Sequence, residues 1–295
     1  MISCSAGGAE SKFTVSEGGA QIDVTVGDGR MQLTQAEITR WVQNAAESVA
    51  AYYGRFPVPH PSLRIKPFEG RGVRHGRTFG ERGGFISIGL GSETTVEELN
   101  SDWMLTHEMV HLSFPDMPER NHWIEEGIAT YVEPIARIQA GHYDVPAMWG
   151  DLIRDMPNGL PESGDRGLDN THTWGRTYWG GALFCMLADV QIRRETKNQK
   201  GLQDALRGIL EAGGDIRQDW SLEEALQLGD RTTGTHVLMD LYKKMGDSPT
   251  GADLDALWKQ LGVSLQGGTI HFNDEMELAP IRRAITAPAP APKAR

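Results

Sequence analysis

Two stretches decide how this chain is read: L-T-H-E-M-V-H-L at residues 105–112 and W-I-E-E-G-I-A-T-Y-V-E at residues 123–133. His107 and His111 stand four apart, which on an α-helix turns both imidazoles to one face about one turn apart, close enough to share an ion. Glu108 follows the first histidine, where its carboxylate can reach a water held by that ion without being a ligand itself. Two histidines leave a zinc ion short of protein ligands, because a catalytic zinc usually has three and an open fourth position. The third must return from elsewhere in the chain. A pattern with glycine three residues and histidine six residues after His111 is absent, since Phe114 and Met117 fill those places. The proline-broken turn S-F-P-D-M-P-E-R (113–120) instead leads into a second helix, in which Glu126, Thr130 and Glu133 share one stripe at i, i+4 and i+7. Glu126 could face the histidines from there, with Glu125 beside it as the alternative.

Outward from these helices, the pattern divides the chain. F-T-V and Q-I-D-V-T-V alternate around S-E-G-G and predict an early hairpin. Thr34 with Glu37 makes a capping box ahead of a periodic helix that stops before Gly54 and Pro57. Two short strands, S-L-R-I-K-P-F and G-G-F-I-S-I-G-L, follow, separated by a Gly/Arg-rich loop from 70 to 84. T-T-V-E-E-L carries another capping signal, and the helix it opens is expected to run on through His111 until Pro115 and Pro118 end it. Beyond the helix of Glu126, further helices are expected near 147–156, 176–194, 201–212, 221–228, 235–245 and 252–261. The fold class is therefore α+β. Residues 11–98 form a mixed α/β lobe and residues 99–285 a mostly helical one, with the histidine helix at their junction. Residues 1–10 and 286–295, Gly/Ala/Ser-rich and Pro/Ala-rich, read as tails that do not pack.

Composition narrows the function classes. With 29 basic against 40 acidic residues the formal charge is −11, and no long basic run is present to neutralise phosphates or anionic lipid. Nucleic acid is not an expected partner. No run of eighteen apolar residues exists to form a transmembrane helix. Of the 2 cysteines, Cys185 lies in an apolar run and reads as a buried thiol, so there is no disulfide framework. Cys4, in M-I-S-C-S-A-G-G, resembles a lipid-attachment site of an extracytoplasmic bacterial protein, although no charged or apolar leader segment precedes it. His60, His75, His142, His236 and His271 are isolated among polar residues and read as solvated, and His122 as capping or packing at its helix start.

H-E-M-V-H followed by W-I-E-E-G-I-A-T-Y-V-E resembles the gluzincin metallopeptidases, in particular the aminopeptidase N-like and glycyl-aminopeptidase-like branches. Their second helix reads roughly W-x-x-E-G-x-A-x-Y-x-E, and here Trp123, Glu126, Gly127, Ala129, Tyr131 and Glu133 fill those places. The resemblance implies a thermolysin-like zincin fold and one zinc ion per chain. It makes Glu126 the third ligand beside His107 and His111, Glu108 the general base, and Glu133 a carboxylate that orients a histidine ligand. The return from His111 to Glu126, fourteen residues, is shorter than is usual in the aminopeptidase N branch.

Downstream, W-G-R-T-Y-W-G-G-A-L-F (174–184) resembles the segment whose tyrosine donates a hydrogen bond to the tetrahedral oxyanion. Tyr178 holds that place, and Gly180 stands where a lysine is often found. His172, six residues earlier, is a candidate substrate contact. The branch's G-x-M-E-N strand, whose glutamate binds the substrate amino terminus, is replaced by G-G-F-I-S-I-G-L. That strand has no acidic residue, so aminopeptidase activity does not carry over, and Glu81 is only a weak substitute. An edge strand there would still pair with an extended peptide. The expected function is a zinc peptidase acting on peptide or protein substrates. The alternative is a zincin-fold binding or structural module without turnover, against which Glu108 argues, since a structural zinc site has no use for a base.

Overall fold

The computed structural model describes residues 9–288; Cys4 and most of the proline–alanine segment lie outside that range. The architecture is mixed α/β, a five-stranded sheet followed by a long succession of helices. Strands β1 (Ser11–Glu17) and β2 (Ala20–Val26) form the expected antiparallel hairpin. Helix α1 (Gln35–Tyr53) then crosses the sheet, started by the Thr34–Glu37 capping box, in which each residue's side chain accepts from the other's backbone N–H. Strands β3 (Ser62–Phe68), β4 (Val73–Phe79) and β5 (Phe85–Gly91) complete the order β1-β2-β3-β5-β4. The three middle strands β2, β3 and β5 are parallel, and both edges are antiparallel to their neighbours. Alternation sets the faces: Val24, Leu63, Ile65, Ile86 and Ile88 are buried beneath the helices, while Asp23, Arg64 and Lys66 point to solvent.

Strand β4 corrects an expectation, because it lies inside the segment 70–84 read as a loop. Its sequence, V-R-H-G-R-T-F, has weak strand propensity; pairing with β5 supplies the ladder, from Val73 opposite Leu90 to Phe79 opposite Phe85. The register shifts between Arg74 and Arg77, where His75 takes a left-handed φ of 57°. A second correction follows from this topology. The strand G-G-F-I-S-I-G-L is interior, flanked by β3 and β4, so the sheet edge on that side belongs to β4, the other edge being β1.

The histidine helix is also not the continuous element expected from Thr95. It breaks into α2 (Val96–Ser101) and α3 (Met104–His111) at Asp102, whose backbone is extended. The Asp102 carboxylate accepts from the backbone N–H groups of Met104 and Leu105, both at 3.1 Å, and from the Trp41 indole at 3.0 Å. It thus starts a new helix and ties it to α1. Helix α4 (His122–Gln139) returns beside α3. Then come α5 (Val145–Asp155), a π-helix (Gly175–Gly180), α6 (Gly181–Glu195), α7 (Leu202–Glu211), α8 (Leu222–Thr233), α9 (Val237–Met245) and α10 (Leu254–Leu261). A short hairpin of β6 (Val263–Gln266) and β7 (Thr269–Phe272) and a last helix α11 (Ala279–Thr286) follow, elements the sequence pattern did not separate.

Candidate metal centre

Helix α3 is wedged between β4, α1 and α4, so its histidines and glutamate are largely removed from water. His107 Nε2 lies 3.1 Å and His111 Nε2 3.5 Å from the same oxygen, Oε2 of Glu126. One ligand atom from each of these three residues falls within a cluster no wider than 4.8 Å. Two imidazole nitrogens and one carboxylate oxygen this close together could hold a metal ion, and the donor set suits zinc. Glu125, the alternative on sequence, turns its Oε2 to His122 Nδ1 at 3.2 Å and is outside that cluster.

The start of α4 fixes which glutamate faces the histidines. The buried carboxylate of Asp169 accepts from Asn121 Nδ2 at 2.9 Å, Trp123 Nε1 at 2.7 Å, Arg120 at 2.6 Å and Tyr242 Oη at 2.7 Å. Four donors on one carboxylate lock the rotation of the helix start. Further along, Gly127 and Gly181 let α4 and α6 touch backbone to backbone: a Cβ on either would collide with the other helix. This contact seats the π-helix over the site. Tyr178, in that helix, lies with its ring nearly parallel to that of His107, centroids 6.3 Å apart. Burial, reinforced by the charge of Glu126, pushes its hydroxyl up to about 12.

The electrostatics describe a site organised around Glu126. Burial alone would raise its carboxyl, but hydrogen bonds from His107, His111 and His122 hold it far below the usual carboxylate range. His122, read on sequence as capping or packing at its helix start, has its Nε2 3.2 Å from Glu126 Oε1, so the second oxygen of the candidate ligand is also held. Hydrogen bonds to Glu125 and Glu126 push His122 up to about 10.

Glu108 has two neighbours that sequence reading placed in a loop. Thr78 Oγ1 on β4 is 2.6 Å from Glu108 Oε2 and 2.9 Å from the Glu108 carbonyl oxygen. Gly76, two residues earlier on the same strand, lies against Oε1, and a Cβ there would collide with the carboxylate. One other expectation needs correction. Glu133 does not orient a histidine: its Oε1 accepts from Arg137 at 2.9 Å, one turn on along α4, and burial pushes its carboxyl up to about 7. His172 is exposed and does not line the cavity beside the site. That cavity, of about 550 Å³, opens next to His107 and Tyr178 and runs along α4.

No known protein-family model and no curated protein matches this chain. Solved structures do. An M1 zinc metallopeptidase from Deinococcus radiodurans shares 17% identity over 84% of this chain and 54% of its own, with a TM-score of 0.54. An aminopeptidase N family protein from Idiomarina loihiensis shares 14% identity over 88% of this chain and 50% of its own, with a TM-score of 0.63. A mutant of the Deinococcus enzyme bound to a Tyr-Ser-Ala substrate aligns at 16% identity over 83% of this chain and 53% of its own, with a TM-score of 0.52. The fold is thus similar to M1 peptidase structures, and the chain spans about half the length of those it matches.

Proposed function

We propose that this chain is a zinc metallopeptidase of thermolysin-like, gluzincin type, with α3 at the junction of a mixed α/β lobe (11–98) and a helical lobe (99–285). The observation that carries the proposal is the convergence of His107 Nε2 and His111 Nε2 on one oxygen of Glu126. Beside it stands a fourth buried group, Glu108, held by a different partner. His107, His111 and Glu126 would hold one zinc ion per chain. The ion, when bound, acidifies a water to a pKa of about 7 and polarises the scissile carbonyl.

The remaining steps belong to this chain's own side chains. With Oε2 of Glu108 held by the Thr78 hydroxyl, Oε1 is the oxygen left to take the proton of the attacking water and pass it to the leaving amine nitrogen. Gly76 keeps the space beside that oxygen free of a side chain. The Tyr178 hydroxyl, protonated at neutral pH, donates to the oxyanion as charge develops there. His122 holds the other oxygen of Glu126, which would limit rotation of that carboxylate when a metal is held. The open edge of β4 runs beside α3 and offers unpaired backbone groups to an extended peptide.

Strand β4 carries Arg74, His75 and Arg77 and no carboxylate, so it has no group to capture a substrate ammonium. The proposed activity is peptide-bond hydrolysis, at a chain end or an interior bond. A mixed peptide library incubated with the purified protein, with and without chelator, tests it by mass spectrometry. Cleavage that chelator abolishes and zinc restores supports a peptidase. Zinc bound without any cleavage would make the chain a binding module instead.

A further inference from the structure

The cavity beside the metal centre is walled by aromatic rings that the proposed chemistry does not use. Trp103 stands one turn before His107 and Trp174 one turn before Tyr178, so the local helical spacing places both indoles at the rim of the site. Trp103 is 50% and Trp174 63% exposed, a large apolar area to leave in water at the mouth of a cleft. Neither is loose. Trp103 meets the His107 ring edge-on at 5.5 Å, and Trp174 stacks on Tyr178 at 6.2 Å.

The charged groups of the same cavity pair with one another. Glu133 and Arg137 pair at 2.9 Å, and the Arg137 guanidinium lies over the Tyr143 ring at 4.5 Å. Arg154 bridges Asp151 at 2.6 Å and Asp155 at 2.8 Å, and the Tyr143 hydroxyl donates to Asp151. Three carboxylates, Glu133, Asp151 and Asp155, share two guanidiniums here, so an incoming carboxylate meets excess negative charge and an incoming ammonium has to compete with Arg137 and Arg154 for oxygens they already hold. A ring has no such cost and gains stacking surface. At about 550 Å³ the space is ample for it.

We propose that this cavity is the subsite for an aromatic side chain of the peptide, at a residue adjoining the cleaved bond, with Trp174 and Trp103 as its walls. The assignment rests on the peptidase reading for its substrate class but is tested without turnover. The zinc-loaded Glu108→Gln protein is titrated calorimetrically with pentaalanine peptides, free or acetylated at the amino terminus, in which Phe, Lys or Glu replaces each alanine in turn. At one position Phe is expected to bind on the order of tenfold more tightly than Ala, Lys or Glu. Adding Trp174→Ala should bring the Phe-to-Ala ratio to about one, and Trp174→Phe should keep it. A preference for Lys or Glu, equal affinities, no binding, or a Phe preference unmoved by Trp174→Ala and Trp103→Ala together overturns the assignment. Wild-type protein given the same peptides separates the two readings. Selective binding without hydrolysis sinks the peptidase and leaves the subsite; hydrolysis indifferent to Phe does the reverse.

Discussion

Glu108 and Glu126 sit eighteen positions apart in the chain and have different surroundings. Glu126 faces three imidazoles, Glu108 a hydroxyl and a bare glycine. Replacing Glu126 with Ala should therefore remove the metal, while Glu125→Ala keeps about one zinc per chain by elemental analysis; the opposite pattern would transfer the ligand role to Glu125. Thr78→Val deletes a hydrogen bond to a charged group, worth about 1.5–3 kcal/mol. It should lower kcat by about 10- to 100-fold with zinc content unchanged, and an unaltered kcat would show that Thr78 does not hold the base. That His107 and His111 face one point was legible in the sequence, because two imidazoles at helical spacing are a local signal. Thr78, Gly76 and His122 were not. Their roles arise from a strand edge and a helix start brought to α3 by the fold, and nothing in V-R-H-G-R-T-F marks a hydroxyl as facing a base.

At the scale of elements, the site depends on where helices begin and how closely they cross. Gly127→Ala would put a methyl group into the backbone of Gly181. It should cost about 1–3 kcal/mol in urea denaturation, and a stability equal to wild type would mean that α4 and α6 have slack. Thr34→Ala removes the cap that starts α1 and should cost about 1 kcal/mol. Its partner Glu37 is held below the usual carboxylate value of 4.5 by the Thr34 backbone N–H and then by the Thr34 hydroxyl. A depressed carboxyl stabilises the fold above its unfolded pKa and loses that contribution as pH falls through the lower folded value. The stability gap between wild type and Glu37→Gln should accordingly be present at pH 7 and shrink at pH 3; a gap independent of pH would remove the ionised cap from the account. Both capping boxes were readable as four-residue patterns. The break at Asp102 was not, because it is made by a carboxylate bonded to Trp41, sixty-one residues away. The π-helix was read as ordinary helix, since apolar periodicity does not distinguish a widened turn from a regular one.

For the whole molecule, a sheet-forming segment followed by a long run of helices was legible from the change in hydrophobic period along the chain. The position of the sheet edge was not, because strand order depends on pairing across distant segments. Strand β4 takes one edge and packs against α3. The site is already drawn together by hydrogen bonds among His107, His111, His122 and Glu126. Chelation should therefore leave the far-ultraviolet dichroism unchanged and lower only the unfolding temperature. Zinc at 100 times its dissociation constant should return about 2.7 kcal/mol; loss of helical signal on chelation would mean that the metal, not the packing, organises the centre. The account as a whole is tested most directly by the turnover of zinc-loaded Glu108→Gln on a peptide that the wild-type protein cleaves. It predicts one zinc per chain in both proteins and a rate in the variant lower by about 10²- to 10⁴-fold, and a variant that retained both its zinc and its full rate would contradict it.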